Sequence, residues 1–278
     1  MEPPLKNQKP PFQQTSISVE GQHVSALTLG TGPAIVLLHS LLADYSSFNL
    51  IAQPLSRTHK VVLLNLPGFG SSDSVNGGLD AVADRVAGAI NALEFEQAPI
   101  LLGNGYGGFI ATTVAIRHPG IASRLVLTGC GAAFSEPGRA AFRQMSLTAK
   151  TKGLAAVADT AMRRLFSPEF QAAHPALIAE RKSQFLTIDL RTFCNACNAL
   201  AELDLRPQLS ALHVPIMVLT GEQDEATPAA MAREFASGLP NASLHTLKGC
   251  AHVPQLQAPE LFLATINEFI SAGQEVRN

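Results

Sequence analysis

The chain has 278 residues, of which 46% are hydrophobic and 15% charged, and its net charge is −2. A chain of this length and apolar content buries a sizeable core, which excludes a disordered protein. The near-neutral balance lacks the basic footprint of a nucleic-acid binder or of a protein held on anionic lipid, so neither is an expected partner.

Residues 1–14 are proline-rich and polar, lack the apolar stretch of a signal peptide, and read as a flexible tail. No uninterrupted apolar run reaches the roughly 18 residues of a membrane span. Residues 16–29 hold two short strands about the turn Glu20-Gly21-Gln22. Residues 34–39 (AIVLLH) form a continuous apolar run, as a strand buried on both faces requires. A short helix over 46–57 leads to a second such strand over 60–66, stopped by Pro67-Gly68. Val82, Val86, Ile90 and Leu93 recur at helical spacing within 79–93. Then come a strand over 99–103, a helix over 107–117 and a strand over 124–128.

From 134 to 212 the period is helical and no convincing strand is found. Strand and helix alternate again at 216–220, 227–237, 242–247 and 259–270. Such alternation predicts an α/β fold, a mostly parallel twisted sheet with helices on both faces. The expected organisation is a core of residues 15–133 and 213–278, with 134–212 inserted as a helical cap over the C-terminal edge of the sheet. Open α/β sheets place their sites at that edge. Cys130, Cys194, Cys197 and Cys250 are too few and too scattered for a disulfide scaffold, so a reducing cytoplasm is the expected setting.

The most distinctive stretch is 101–108, Leu-Leu-Gly-Asn-Gly-Tyr-Gly-Gly. An apolar run ends in a tight glycine turn and opens a helix, the form of the elbow that presents serine in G-x-S-x-G hydrolases. Here the serine slot is Gly105. Glycine there is either native or introduced in place of serine, and the sequence leaves both open.

Further motifs follow in register: Leu37-Leu-His-Ser40 at a strand end, Asn65-Leu-Pro-Gly-Phe-Gly-Ser-Ser72, Gly221-Glu-Gln-Asp224-Glu-Ala-Thr-Pro228 and Gly249-Cys-Ala-His252. With these the chain resembles the α/β-hydrolase superfamily over nearly its whole length. The order elbow, Asp, His is the order of that fold. Within it, the chain is similar to the 3-oxoadipate enol-lactonase group in His39-Ser40-Leu41 with Asp44, in Arg164-Leu-Phe166, in Cys197-Asn-Ala-Leu-Ala-Glu-Leu-Asp204 and in the acid turn. Its Gly-Asn pair at the elbow also resembles the meta-cleavage-product C–C hydrolases, whose elbow reads G-N-S-x-G-G. Those carry tryptophan after the histidine, where this chain has Val253.

The resemblance implies roles for particular residues. His252 is the base and Asp224 orients it, the plainer readings being a core histidine and a helix N-cap. Thr227, directly before Pro228, suits that cap better. Backbone N–H groups of Tyr106 and of Ser40 or Leu41 form the oxyanion hole, and they survive loss of the elbow side chain. The Ser40 hydroxyl is a candidate substrate contact. With Gly105 unable to attack, a water in the vacated space activated by His252 supports hydrolysis or proton transfer without a covalent intermediate. The rival reading is a non-catalytic small-molecule binder.

Arg139, Arg143, Arg163, Arg164, Arg181 and Arg191 lie in the inserted segment, and an inward-facing arginine would hold a substrate carboxylate. Arg164 and Arg181 are the candidates. Cys194 and Cys197 share a helix face and read as packed thiols. No metal and no cofactor are expected. The expected substrate is a small ester, enol-lactone or ring-fission product, and a homo-oligomer is left open.

Overall fold

The computed structural model describes residues 12–272. Of the tail expected over 1–14, residues 1–11 lie outside the described residues. Gln13 and Gln14 are already strand, pairing with Thr28 and Leu27. β1 (Gln13–Val19) and β2 (Gln22–Leu29) form an antiparallel hairpin about Glu20 and Gly21.

Strand and helix then alternate. β3 (Ala34–Leu38) leads through a 3₁₀ turn (Tyr45–Phe48) into α1 (Asn49–Leu55). The Asp44 carboxylate caps that turn by accepting the Ser46 N–H at 2.8 Å. β4 (Lys60–Leu64), α2 (Leu79–Ala92), β5 (Ile100–Asn104), α3 (Tyr106–Arg117) and β6 (Arg124–Thr128) follow. The sheet order is β1-β2-β4-β3-β5-β6, and it continues with β7 (Ile216–Gly221) and β8 (Ala242–Leu247). Pairing is antiparallel for β1–β2 and β2–β4 and parallel for every other pair.

Between β6 and β7 the chain makes α4 (Glu136–Lys152), α5 (Ala158–Leu165), α6 (Pro168–Ala173), α7 (Pro175–Phe185) and α8 (Leu190–Glu202). Among the described residues this stretch contributes no strand to the sheet; a single antiparallel bridge, Ala133 with Asp204, closes its base. α9 (Ala229–Ser237), α10 (Pro254–Gln257) and α11 (Pro259–Ser271) complete the fold.

The strand residues explain the layering. Side chains alternate across a sheet, so Val36 and Leu38 of β3 join the core holding Val82, Phe109 and Phe142. Ile35 and Leu37 join the opposite core with Ile51, Leu55, Phe262 and Ile266. Burying one such side chain contributes about 1.5–3 kcal/mol. Burial on both faces therefore anchors β3, β5 and β7 firmly, and fixes the loops at their C-terminal ends.

Candidate active site

Three of those loops, with the one after β8, converge. At the end of β5 the chain turns through Gly105 at φ 54° and ψ −118° before α3 begins. The Gly105 N–H donates to the Thr128 carbonyl at 2.9 Å, and its own carbonyl accepts the Gly108 and Phe109 amides. A side-chain-bearing residue in such a conformation carries about 1–3 kcal/mol of strain; glycine does not.

Asp224 sits after β7 and His252 after β8, both buried. His252 Nδ1 lies 2.9 Å from Asp224 Oδ2. An ionised carboxylate only accepts, so Nδ1 carries the proton and Nε2 presents its lone pair. Asp224 is itself tightly held. Its Oδ1 accepts the Ala226 and Thr227 amides at 2.8 and 2.9 Å, and its Oδ2 accepts the Thr227 hydroxyl at 2.7 Å. Burial opposes its ionisation. The facing imidazole and the Thr227 donors outweigh burial and hold the carboxyl below its ordinary value. Thr227 is therefore a partner of Asp224 rather than the helix cap expected from sequence; Pro228 takes the cap position of α9.

The imidazole faces the elbow. A Cβ built on Gly105 would stand 2.7 Å from His252 Nε2, 2.7 Å from Ser40 Oγ and 3.2 Å from Ser40 Cβ. The histidine loop is pinned from three sides. Asn104 Nδ2 donates to the His252 carbonyl at 2.8 Å, Gln255 Nε2 donates to Asn104 Oδ1 at 3.0 Å, and the His252 N–H reaches the Leu165 carbonyl at 3.2 Å. Gly129, at φ 62°, lets the ring lie against the end of β6: a Cβ there would meet Nδ1 at 2.9 Å. The roles of Asn104, Gln255 and Thr227 escape the sequence reading. The available signal is that a buried amide between apolar strand residues needs a partner.

The backbone N–H groups of Ser40, Leu41 and Tyr106 donate to no protein group among the described residues. The Ser40 segment is rigid nonetheless. His39, fully buried, accepts the Leu66 N–H at Nε2 (3.1 Å) and directs Nδ1 to the Ser40 carbonyl (2.9 Å). Burial holds this imidazole below its ordinary pKa, against the opposing pull of the Ser40 carbonyl and Asp44, so it acts as a neutral strut.

Of the seven arginines in the inserted segment, Arg164 alone makes no hydrogen bond or ion pair among the described residues; Arg206 binds Asp204. Arg139 donates to the Phe134, Ala201 and Leu203 carbonyls, Arg143 binds Glu136, Arg163 binds Thr160 and Arg191 binds Asn76. Arg181 is buried against Ser46 (2.8 Å), Asp44 (3.8 Å) and Glu180 (2.6 Å). Unlike Arg164, it does not border the dyad's cavity, and its guanidinium is engaged by the acid that caps the 3₁₀ turn. Arg164 lies 5.6 Å over the Phe142 ring. Burial pulls its pKa below the ordinary value, against the pull of Cys197 and Asp224.

Arg164, Ser40, Leu41, Gly105, Tyr106, Thr227 and His252 border one cavity of about 30 Å³, room for a water or two. Phe134, Phe142, Met145 and Leu200 close it from the inserted helices. A second cavity of about 220 Å³, near Asp44, Tyr45 and Asn65, includes no residue of the dyad. Cys250 lies in the opposite core, with its thiol pushed up by burial. Cys197 is likewise buried on α8, and burial raises its thiol too.

An acid turn, a histidine loop and a glycine elbow at the C-terminal ends of parallel strands define a class. The chain belongs to the alpha/beta hydrolase family, whose sequence profile matches residues 35–265. It is 24% identical over 232 residues to 3-oxoadipate enol-lactonase 2 of Acinetobacter baylyi, covering 83% of this chain and 85% of that protein. It is 28% identical over 272 residues to the polyketide synthase ThaQ of Burkholderia thailandensis, an alignment covering 91% of this chain and only 13% of ThaQ. The fold matches the crystal structure of the enol-lactonase from Burkholderia xenovorans with a TM-score of 0.86 at 25% identity, covering 92% of this chain and all of that one. Among the described residues no helix is long and apolar enough to cross a membrane.

Proposed function

We propose that the chain hydrolyses a small ester or enol-lactone bearing a carboxylate, with His252 as general base and Asp224 as its orienter. One observation carries the reading. An imidazole whose Nδ1 is fixed by a buried carboxylate aims an uncommitted Nε2 at an elbow flanked by unpaired backbone amides. That is the arrangement acyl chemistry requires: a base for the attacking hydroxyl and N–H donors for the developing oxyanion. The attacking hydroxyl comes from elsewhere than residue 105. Likeness to enol-lactonases supports the lactone or ester as substrate class.

The carboxylate is inferred from Arg164. A half-buried guanidinium with an aromatic face but no anionic partner, on the wall of the same cavity, is placed to receive one. The inserted helices act as a cap. With room for only a water or two beneath them, they part to admit substrate and close over it.

The test compares two matched activated esters, one ending in a carboxylate and one in a methyl group. Arg164→Gln is expected to raise KM for the carboxylate ester about tenfold or more and to leave the neutral one within about twofold, the loss expected for one charge-assisted pair. Equal effects on both would remove the carboxylate from the proposal. The missing hydroxyl at 105 favours a second reading, a binding protein without turnover. It predicts saturable binding of the same carboxylates with no product.

A further inference from the structure

Loss of the elbow side chain leaves the base without its usual target, and the neighbouring loop offers another. Ser40 Oγ and His252 Nε2 each lie 2.7 Å from the point a Gly105 Cβ would occupy, so they are at most twice that, 5.4 Å, apart. Ser40 is buried, borders the dyad's cavity, and its hydroxyl has no hydrogen-bond partner in the protein among the described residues. The other aliphatic hydroxyl on that cavity, Thr227, is committed to Asp224.

We infer that Ser40 supplies the attacking hydroxyl in place of the missing elbow serine. The inference rests on the proposed ester or lactone hydrolysis and names its nucleophile.

The backbone supports the exchange. At an elbow, the amide following the nucleophile is one oxyanion donor. Here both the amide after Gly105 (Tyr106) and the amide after Ser40 (Leu41) are unpaired. Attack from Ser40 therefore meets the same kind of donor pair as attack from the elbow. Glycine at 105 leaves the approach between Ser40 and the imidazole open, and a methyl group there would close it. The Ser40 carbonyl is fixed by His39 and by the Ala43 N–H at 3.1 Å, so the hydroxyl stands on a rigid turn. A contact of this kind is commonly long in the free enzyme and tightens with substrate bound.

The step balances. His252 Nε2 takes the Ser40 proton as Oγ bonds to the substrate carbonyl carbon. The leaving alkoxide or enolate departs as that carbon–oxygen bond breaks, and it takes the proton from His252. Water, deprotonated by His252, then attacks the acyl-Ser40 ester. The carboxylic acid is released as Oγ recovers its proton.

The experiment treats the full chain with a fluorophosphonate, reads intact mass and maps the adduct by peptide sequencing. Turnover of the carboxylate ester is measured alongside for Ser40→Ala, Ser40→Cys and His252→Ala. The expected result is one phosphonyl group on Ser40, absent from Ser40→Ala and His252→Ala. With it, kcat should fall about a thousandfold in Ser40→Ala with KM within about threefold, and Ser40→Cys should recover part of the acyl transfer. Ser40 lacks a hydrogen-bond partner, so Ser40→Ala should unfold within a few degrees of the parent. Two results would overturn the inference. If Ser40→Ala keeps more than a tenth of the activity while His252→Ala is inactive, a water is the attacking group and the hydrolase reading stands. If His252→Ala is as active as the parent, that reading falls and Ser40 falls with it.

Discussion

Gly105 is the residue on which the site turns. Its dihedral angles are those of an elbow, yet the space in front of its Cα is occupied from both sides by Ser40 Oγ and His252 Nε2. Gly105→Ala should therefore do two things. It should lower stability by about 1–3 kcal/mol through backbone strain. It should also lower kcat/KM more than tenfold, because the methyl group separates base from hydroxyl. Thermal unfolding and steady-state kinetics read the two effects separately. A variant as stable and as active as the parent would mean that the slot is roomier than described. Much of this site is legible in the sequence. Asp224, His252 and Gly105 are brought together by motifs whose spacing encodes loops at strand ends. Arg181 is less legible because its fate depends on Asp44 and Ser46, far away in the chain, and no periodicity reports such a meeting. Thr227 is misread for a related reason. The helix start it precedes is visible locally, whereas the carboxylate that claims its hydroxyl is fixed by the dyad.

Among the elements, the strands are the most legible, since a strand buried on both faces is an unbroken apolar run whatever lies over it. The start of β1 is less so. Gln13 and Gln14 are polar and exposed, and only pairing with β2 makes them strand. α10 is a single turn, too short for a period to be read from sequence. The inserted helices share the main apolar core, and an arginine cross-links two of them. Arg139 on α4 donates to the Ala201 and Leu203 carbonyls at the C-terminal end of α8, where the helix leaves acceptors unpaired and favours a cation. Arg139→Ala should destabilise this pair of helices by roughly 1–3 kcal/mol. Because α4 and α8 supply Phe142, Met145 and Leu200 to the cavity, KM should rise more than kcat falls. Hydrogen exchange of the α8 amides is the direct readout. Unchanged protection there would show that helix packing alone holds α8.

For the molecule as a whole, the two-sided core fixes the sheet, the sheet fixes four loop ends, and the loops hold an oriented base beside unpaired amides. The central claim is that this base still works although the elbow hydroxyl is gone. Turnover of a carboxylate-bearing activated ester by the parent chain and by His252→Ala tests it most directly, with circular dichroism confirming equal folding. The account predicts measurable hydrolysis by the parent and a loss of about a thousandfold or more in kcat/KM for His252→Ala. Equal turnover by the two proteins, or saturable binding by the parent with no product, would contradict it.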